Sequence, residues 1–332
     1  MRYLTISEYG TFLGVSGSCL IIKHEGKVIK EIALSRLRTI SITKSGVSLS
    51  SDLLEACALR GIKVLFLDWK GGVYSALMGQ NQHAVVAIRK SQFLCNSDPI
   101  KACEISKRII LSKVRNQRAV LLYFGKYIAK KSGSPSDNIR FISEKLILII
   151  QQIKALKAEQ YEWSSVLLGY EGKAAALYWQ CLSETHLLPN DFSCREGRNA
   201  LSITNKALNY GYAILVGYVW AALDNAGLEV YSGFFHVDRP GKPSLVLDLM
   251  EEYRAWVVDR TVIKLRERLL KAKAFDADLK KQISNGIHQT MQAKYSYNKK
   301  QVKLENILQR QVYRLTGYIS GDANYKGYSF KW

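Results

Sequence analysis

The feature that most constrains this chain is a change of period near residue 90. Before it, short β-favouring runs are separated by turn signals; after it, apolar residues recur at helical spacing. The runs 3–6, 19–23, 28–33, 39–43, 47–49, 64–67 and 73–77 read as strands. His24-Glu25-Gly26, Ser45-Gly46 and Lys70-Gly71-Gly72 punctuate them. Strands this short and this closely spaced predict a small sandwich or meander. One helix interrupts them, from a cap at Ser51 to about Arg60. Beyond Asp98 the pattern is different: Ile142, Leu146, Ile149, Ile153 and Leu156 step by three and four, the stripe of an amphipathic helix. Helices are predicted over 99–118, 141–159, 164–184, 203–224, 244–273 and 300–316. The expected fold is α+β in two domains: a β-sandwich-like domain over 1–85, a linker at 86–98 and an all-α domain over 99–332.

Charge then narrows the partners. The 48 Lys and Arg against 28 Asp and Glu leave a formal charge of +20. Nucleic acid is the first explanation for such an excess, ahead of an anionic membrane or an acidic protein. Residues 1–90 carry 12 basic and 6 acidic side chains and the remainder 36 and 22, so the helical part is expected to hold most of the DNA-facing surface. The longest strongly apolar run, 210–223, contains Gly217 and falls short of the ~18–20 residues of a membrane span. No apolar signal-peptide core is read in the first residues, so a soluble, cytoplasmic protein without a membrane partner is expected. Six scattered cysteines without a C-x-x-C pair read as reduced thiols filling core space.

Chemistry has few places to reside. His24, His83, His186 and His288 lie in turns, linkers or polar helical sequence and read as structural. His236 stands apart, after Gly233-Phe234-Phe235 and before a turn-rich stretch that opens a helix near Ser244. On that helix Asp248, Glu251 and Glu252 fall at i, i+3 and i+4 and share a face. Asp248 lies inside the apolar run SLVLDLM, where an unpaired carboxylate is costly. Imidazole and carboxylates at a helix mouth suit a divalent cation, Mg2+ or Mn2+. The alternative is a core histidine beside acids that favour a helix N-terminus. Glu171 is flanked by Gly169 and Gly172 inside an otherwise helical pattern, which lets either another helix or a phosphate backbone come close. Together with the basic surface, one His/carboxylate site points to metal-assisted phosphodiester chemistry. P-loop, dinucleotide-binding, HExxH and GxSxG motifs are absent from the sequence.

With these residues on the page, a resemblance becomes specific. LLGYEGKAAALYW around Glu171, ITNKALNYGYAIL over 203–215 and GFFHVDRPGKPSLVLDLMEEYRAWVVDR over 233–260 resemble the CRISPR-associated adaptation integrases, metal-dependent endonucleases that insert new spacers into a CRISPR array. The match extends over nearly the whole chain. It implies a β-sandwich joined to a helical catalytic domain and a homodimer formed mainly through the β-domains. It implies a small ferredoxin-like CRISPR-associated partner subunit and double-stranded DNA, prespacer and CRISPR repeat, as substrate. Carried over, the metal and catalytic set is Glu171, His236 and Glu251, with Asp248 and Glu252 as outer or alternative ligands. The implied chemistry is transesterification by a 3′-hydroxyl. Arg239 and Arg254 flank the ligands as phosphate contacts, or pair with helix carboxylates instead. Lys173 follows Glu171 as a weaker contact or a solvated helix residue. Residues 199–204 read NALSIT, without the Pro-Pro-x-Asp stretch of many relatives. A non-catalytic DNA-binding scaffold and a nuclease selective for branched DNA remain the other two readings.

Overall fold

In the computed structural model the chain is described over residues 3–68, 73–77, 79, 85–134, 136–159, 162–197 and 199–331, so His83 lies outside the described residues. Strands β1 (Tyr3–Ile6), β2 (Phe12–Ser16), β3 (Cys19–His24), β4 (Lys27–Ala33), β5 (Thr39–Ile42) and β6 (Ser48–Leu49) precede helix α1 (Ser51–Leu59) and strands β7 (Lys63–Leu67) and β8 (Val73–Leu77). The predicted strands are present, joined by β2, which the sequence reading did not separate from the turns around it. Ser50, rather than Ser51, caps α1, its side chain accepting the Leu53 N–H at 3.2 Å. Glu25 and Gly26 both take positive φ, +50° and +76°, the geometry of a tight hairpin turn that matches strand twist.

Two four-stranded sheets form among these residues. One runs β1-β5-β7-β8, with β1, β5 and β7 parallel and β8 antiparallel at its edge. The other runs β4-β3-β2-β6. Between them lies an apolar cluster that includes Leu13, Leu20, Ile40, Leu53 and Val64. Strand β7 is buried on both faces. Val64 belongs to that cluster, while Leu65 and Leu67 belong to the larger core of the helical part. That is why its sequence is a continuous apolar run rather than an alternation.

Residues 86–98, expected to be a linker, are instead largely helical: α2 spans Val85–Ser97. It is followed by α3 (Pro99–Ser132), α4 (Asp137–Ala155), α5 (Trp163–Glu184) and α6 (Ile203–Asn225). The Asp98 carboxylate caps α3 by accepting from Ile100 and Lys101 at 3.0 and 3.2 Å, and Gly133 ends it at φ +78°. From Gly211 to Leu223 α6 is buried on every side, as its unbroken apolar sequence demands. The single helix predicted over 244–273 is broken into α7 (Ser244–Arg254), a π-helical turn (Ala255–Asp259), α8 (Arg260–Lys264) and α9 (Arg266–Leu270).

Then come α10 (Ala277–Gln292), β9 (Lys294–Tyr297), β10 (Lys300–Lys303) and α11 (Leu304–Ile319). The β9–β10 hairpin corrects both the all-α reading and the helix start at 300; Asn298 and Lys299, at φ +50° and +63°, form its turn. Four of the six cysteines are buried, as expected, and Cys194 is exposed. Burial pushes the Cys57 and Cys103 thiols up to about 11, so they are inert at neutral pH. Among the described residues no helix is long and apolar enough to cross a membrane.

Candidate metal centre

Helices α3, α5 and α7 bring Lys113, Glu171 and Glu251 together, and the segment before α7 sets His236 against Asp248. The long helix α3 contributes a residue that the sequence reading missed. Lys113 is buried on a face otherwise built from Ile109, Ile110, Val114, Val120 and Leu121. Its ammonium is hydrogen-bonded to Glu171 Oε1 and stands 2.8 Å from Glu251 Oε2. Two carboxylates from different helices thus meet on one buried cation. A polar residue on an apolar helical stripe is the signal that could have found it, and Gln117, also buried, repeats it one turn on.

Glu251 has a second cation. Arg254 places a guanidinium nitrogen 3.1 Å from its Oε1. Burial pushes the Glu251 carboxyl up, but Arg254 and Lys113 outweigh that and hold it below the usual carboxylate range. Lys113 is held above the usual lysine range, because Glu251 and Glu171 outweigh its own burial. The site therefore keeps both carboxylates in company with charge they can neutralise.

Asp248 acts differently. It is fully buried, and its two oxygens accept the backbone N–H groups of Phe234 (2.6 Å), Phe235 (3.0 Å) and His236 (2.9 Å) and the ring Nδ1 of His236 (2.6 Å). Four donors converge on one carboxylate, so Asp248 sets the path of the 233–236 segment and the orientation of the imidazole. Nε2 is the ring nitrogen that remains for a ligand. Gly233 is required by this packing: a Cβ there would lie 2.8 Å from both Asp248 Oδ2 and Ser244 Cβ.

Glu252 belongs to another structure. Tyr325 donates its hydroxyl to Glu252, the Tyr328 N–H donates at 2.8 Å, and Asn116 ties the Glu252 carbonyl to the C-terminal tail. Burial pushes the Glu252 carboxyl up to about 7, against the opposing effect of Tyr325 and Tyr328. The three acids that share a face by spacing thus make three separate sets of contacts.

Among the described residues nothing packs against Gly169 or Gly172, and a Cβ at either would meet open space, so close helix packing is not their role. Lys173 and Arg239 are exposed. Arg254 is ion-paired to Glu251 and also lies over the Tyr212 ring at 4.8 Å, where Arg195 joins it at 5.2 Å. A cavity of about 60 Å³ opens here, lined by Lys113, Gln117, Trp179, Arg195, Tyr212 and Arg254. Arg195 and Tyr212 were not singled out in the sequence. Tyr212 and Tyr178 both donate to Asp259 at the end of the π-helical turn, and burial pushes that carboxyl up to about 6.

The residues match a divalent cation in chemistry: two carboxylates held by exchangeable cations and an imidazole nitrogen. Among the described residues no three His, Cys, Asp or Glu side chains stand close enough to share one ion; the charge between Glu171 and Glu251 is the Lys113 ammonium.

The model for CRISPR associated protein Cas1 matches residues 4–296. The chain belongs to the Cas1 family. A CRISPR-associated endonuclease Cas1 from Francisella tularensis subsp. novicida is 48% identical over 332 residues, covering all of both chains. Among solved structures, a casposase bound to integration product is similar with a TM-score of 0.80 at 23% identity, over 99% of this chain and 95% of that one. A Cas1 protein from Thermotoga maritima is similar at 0.75 and 17% identity, over 99% and 100%. These two likenesses concern the fold, an α+β architecture with the two four-stranded sheets N-terminal and most of the helices C-terminal.

Proposed function

We propose that this Cas1 protein is a metal-dependent DNA endonuclease and integrase of CRISPR adaptation, joining the 3′-hydroxyl of a captured DNA fragment to the end of a CRISPR repeat. One observation carries the reading: Glu171 and Glu251 meet on a buried cation beside a histidine aimed by a buried aspartate. The 48%-identical relative, named an endonuclease, supports it. Glu171, His236 and Glu251 would hold Mg2+ or Mn2+, with Asp248 behind His236 and Glu252 outside the set. When bound, such a cation supplies Lewis-acid stabilisation of the charge that develops on the phosphodiester oxygens.

The remaining work falls to the chain's own side chains. Lys113 and Arg254 keep Glu251 ionised and fixed. Arg254 and Arg195, converging over Tyr212, hold a phosphate at the 60 Å³ cavity. The open surface at Gly169 and Gly172 lets a DNA backbone approach Glu171, and exposed Arg239 and Lys173 contact phosphates farther out. In the transfer, the attacking 3′-hydroxyl gives up its proton to solvent and its oxygen bonds to phosphorus, as the bond from phosphorus to the neighbouring 3′ oxygen breaks and that oxygen takes a proton from solvent. The number of phosphodiester bonds is unchanged, so no external energy donor is needed.

The same proposal includes two domains, 1–85 and 99–332, a homodimer formed through the first, and a small ferredoxin-like partner subunit. Its test is a strand-transfer assay with labelled duplex, repeat-bearing plasmid, Mn2+ and the partner subunit. Wild-type protein is expected to join label to plasmid, and His236→Ala to bind DNA without joining it. Joining by His236→Ala at the wild-type rate would refute the site.

A further inference from the structure

Lys113, Glu171 and Glu251 all sit on helices, α3, α5 and α7. His236 does not. It lies between α6 and α7, in a stretch without helix or strand. A helical residue is placed by the packing of its helix. An irregular segment has no ladder to satisfy its backbone, so each buried N–H and C=O needs a partner of its own.

Two buried side chains from different helices supply such partners. Asp248 of α7 takes the N–H groups of Phe234, Phe235 and His236. Upstream, Gln92 of α2 is fully buried. Its amide nitrogen donates to the carbonyls of Glu229 (2.9 Å) and Ser232 (2.8 Å), and its oxygen accepts the Glu229 N–H at 2.8 Å. Two carbonyls facing one end of the amide decide which end carries the nitrogen, so the side chain has a single orientation. Asn96, one turn along α2, adds a bond to Ser232 Oγ at 3.1 Å, and Arg89 stands 3.7 Å from Glu229.

The two anchors are close together along the chain. Ser232 stands four positions before His236, and Gly233 between them packs so tightly that a Cβ would lie 2.8 Å from Asp248 Oδ2. Without Gln92, two carbonyls and one N–H would lose their partners, and unpaired buried groups are costly enough to shift the segment toward water. Such a shift would reach the imidazole. We propose that Gln92 is a positioning residue for His236: α2 fixes the start of the segment, Asp248 fixes its end, and the two together place the ring. A divalent cation held by His236 would then depend on a side chain of α2, which touches none of the other site residues. That a cation binds at His236 rests on the function proposed above; the fixing of the segment by Gln92 does not.

Amide hydrogen exchange in EDTA reads the fixing without metal, and Mn2+ affinity, from the electron paramagnetic resonance of free Mn2+, reads its effect on the centre. Gln92→Met keeps the length of the side chain and removes all three bonds; Asn96→Ala removes one and is the gentler variant. Leu53→Ala, in the apolar cluster between the two sheets, is the control that lowers Tm away from the segment. Exchange over 229–236 is expected to rise on the order of tenfold in Gln92→Met and less in Asn96→Ala, and to stay at the wild-type rate in Leu53→Ala. Mn2+ binding by Gln92→Met is expected to weaken about tenfold, the low end of the ~10–100-fold effect of groups that orient a metal-binding histidine, and to be unchanged in Leu53→Ala. Wild-type exchange in Gln92→Met, or an equal loss of Mn2+ affinity in the control, would overturn the assignment. If Gln92→Met does not fold, wild-type exchange in Asn96→Ala overturns it instead. Faster exchange in the variants of a protein whose wild-type and His236→Ala forms bind Mn2+ equally would refute the metal centre and keep Gln92 as the residue that fixes His236.

Discussion

Replacing Lys113 by Met tests whether one buried ammonium holds the centre together. The substitution keeps the length of the side chain and removes the charge between Glu171 and Glu251. Removing one partner of a buried ion pair costs about 3–5 kcal/mol, because the other charge stays buried without compensation. Here Arg254 still faces Glu251 at 3.1 Å, and Glu171 is partly exposed, so the lower end, about 3 kcal/mol, is expected. At ~2.1 cal/mol/K per residue the melting entropy of a chain this size is about 0.7 kcal/mol/K, which converts that loss into a fall in Tm of about 4 °C. Differential scanning calorimetry at pH 7.5 reads it directly.

The pH dependence identifies the cause. Glu251 in the wild type is held below the usual carboxylate range, so its contribution to stability is present above the unfolded pKa and is lost as pH falls through the folded pKa. Without Lys113 that contribution shrinks or reverses. The gap between wild type and Lys113→Met should therefore be full near neutrality and close at acid pH, where both forms carry a protonated Glu251. Glu251→Gln in the Lys113→Met background should recover most of the lost stability, since a neutral amide needs no counter-charge. A Tm gap that does not narrow between pH 7.5 and the lowest pH at which both forms stay folded, or no recovery in the double variant, would show that packing rather than charge explains the loss.

Asp248→Asn presents an amide to four donors, so whichever way it flips, two of them lose their acceptor. If His236 holds the proposed cation, disordering its support lowers activity by ~10–100-fold, to be read as the initial rate of the proposed strand transfer at unchanged DNA affinity. Glu252, pushed up to about 7, contributes stability that is fully present below its unfolded pKa and is lost as pH rises through about 7. The difference in unfolding free energy between wild type and Glu252→Gln should accordingly fall as pH rises from 4.5 to 8 in urea titrations, and a flat difference refutes it. Gly327→Ala would put a Cβ 2.2 Å from Ser112 Oγ and 2.8 Å from Glu252 Oε1, so the tail must lift; we expect faster tryptic cleavage after Lys326 and a loss of about 1–3 kcal/mol.

What the sequence disclosed and what it hid follow one physical division. Periodicity made the strands and most of the helices legible, because burial on one face writes itself into neighbouring residues. Motif order put Glu171, His236 and Glu251 forward as one group; the structure joins Glu171 and Glu251 through Lys113 and sets His236 against Asp248. Lys113 was not legible, because its role depends on a residue 58 positions further along the chain folding back so that α5 lies against α3. Spacing along α7 also could not divide the labour among Asp248, Glu251 and Glu252, since one helical face can touch several neighbours at once. The structure divides it by what lies opposite: backbone donors of the 233–236 segment against Asp248, Lys113 and Arg254 against Glu251, and Tyr325 and Tyr328 against Glu252. Of the three, only Glu251 faces charge alone, and cations can be exchanged where backbone amides cannot. A carboxylate already balanced by an ammonium and a guanidinium thus fits the proposed role of metal ligand better than its two neighbours. The two beside it, committed to backbone, ring or hydroxyl donors, instead hold the segments on either side in place.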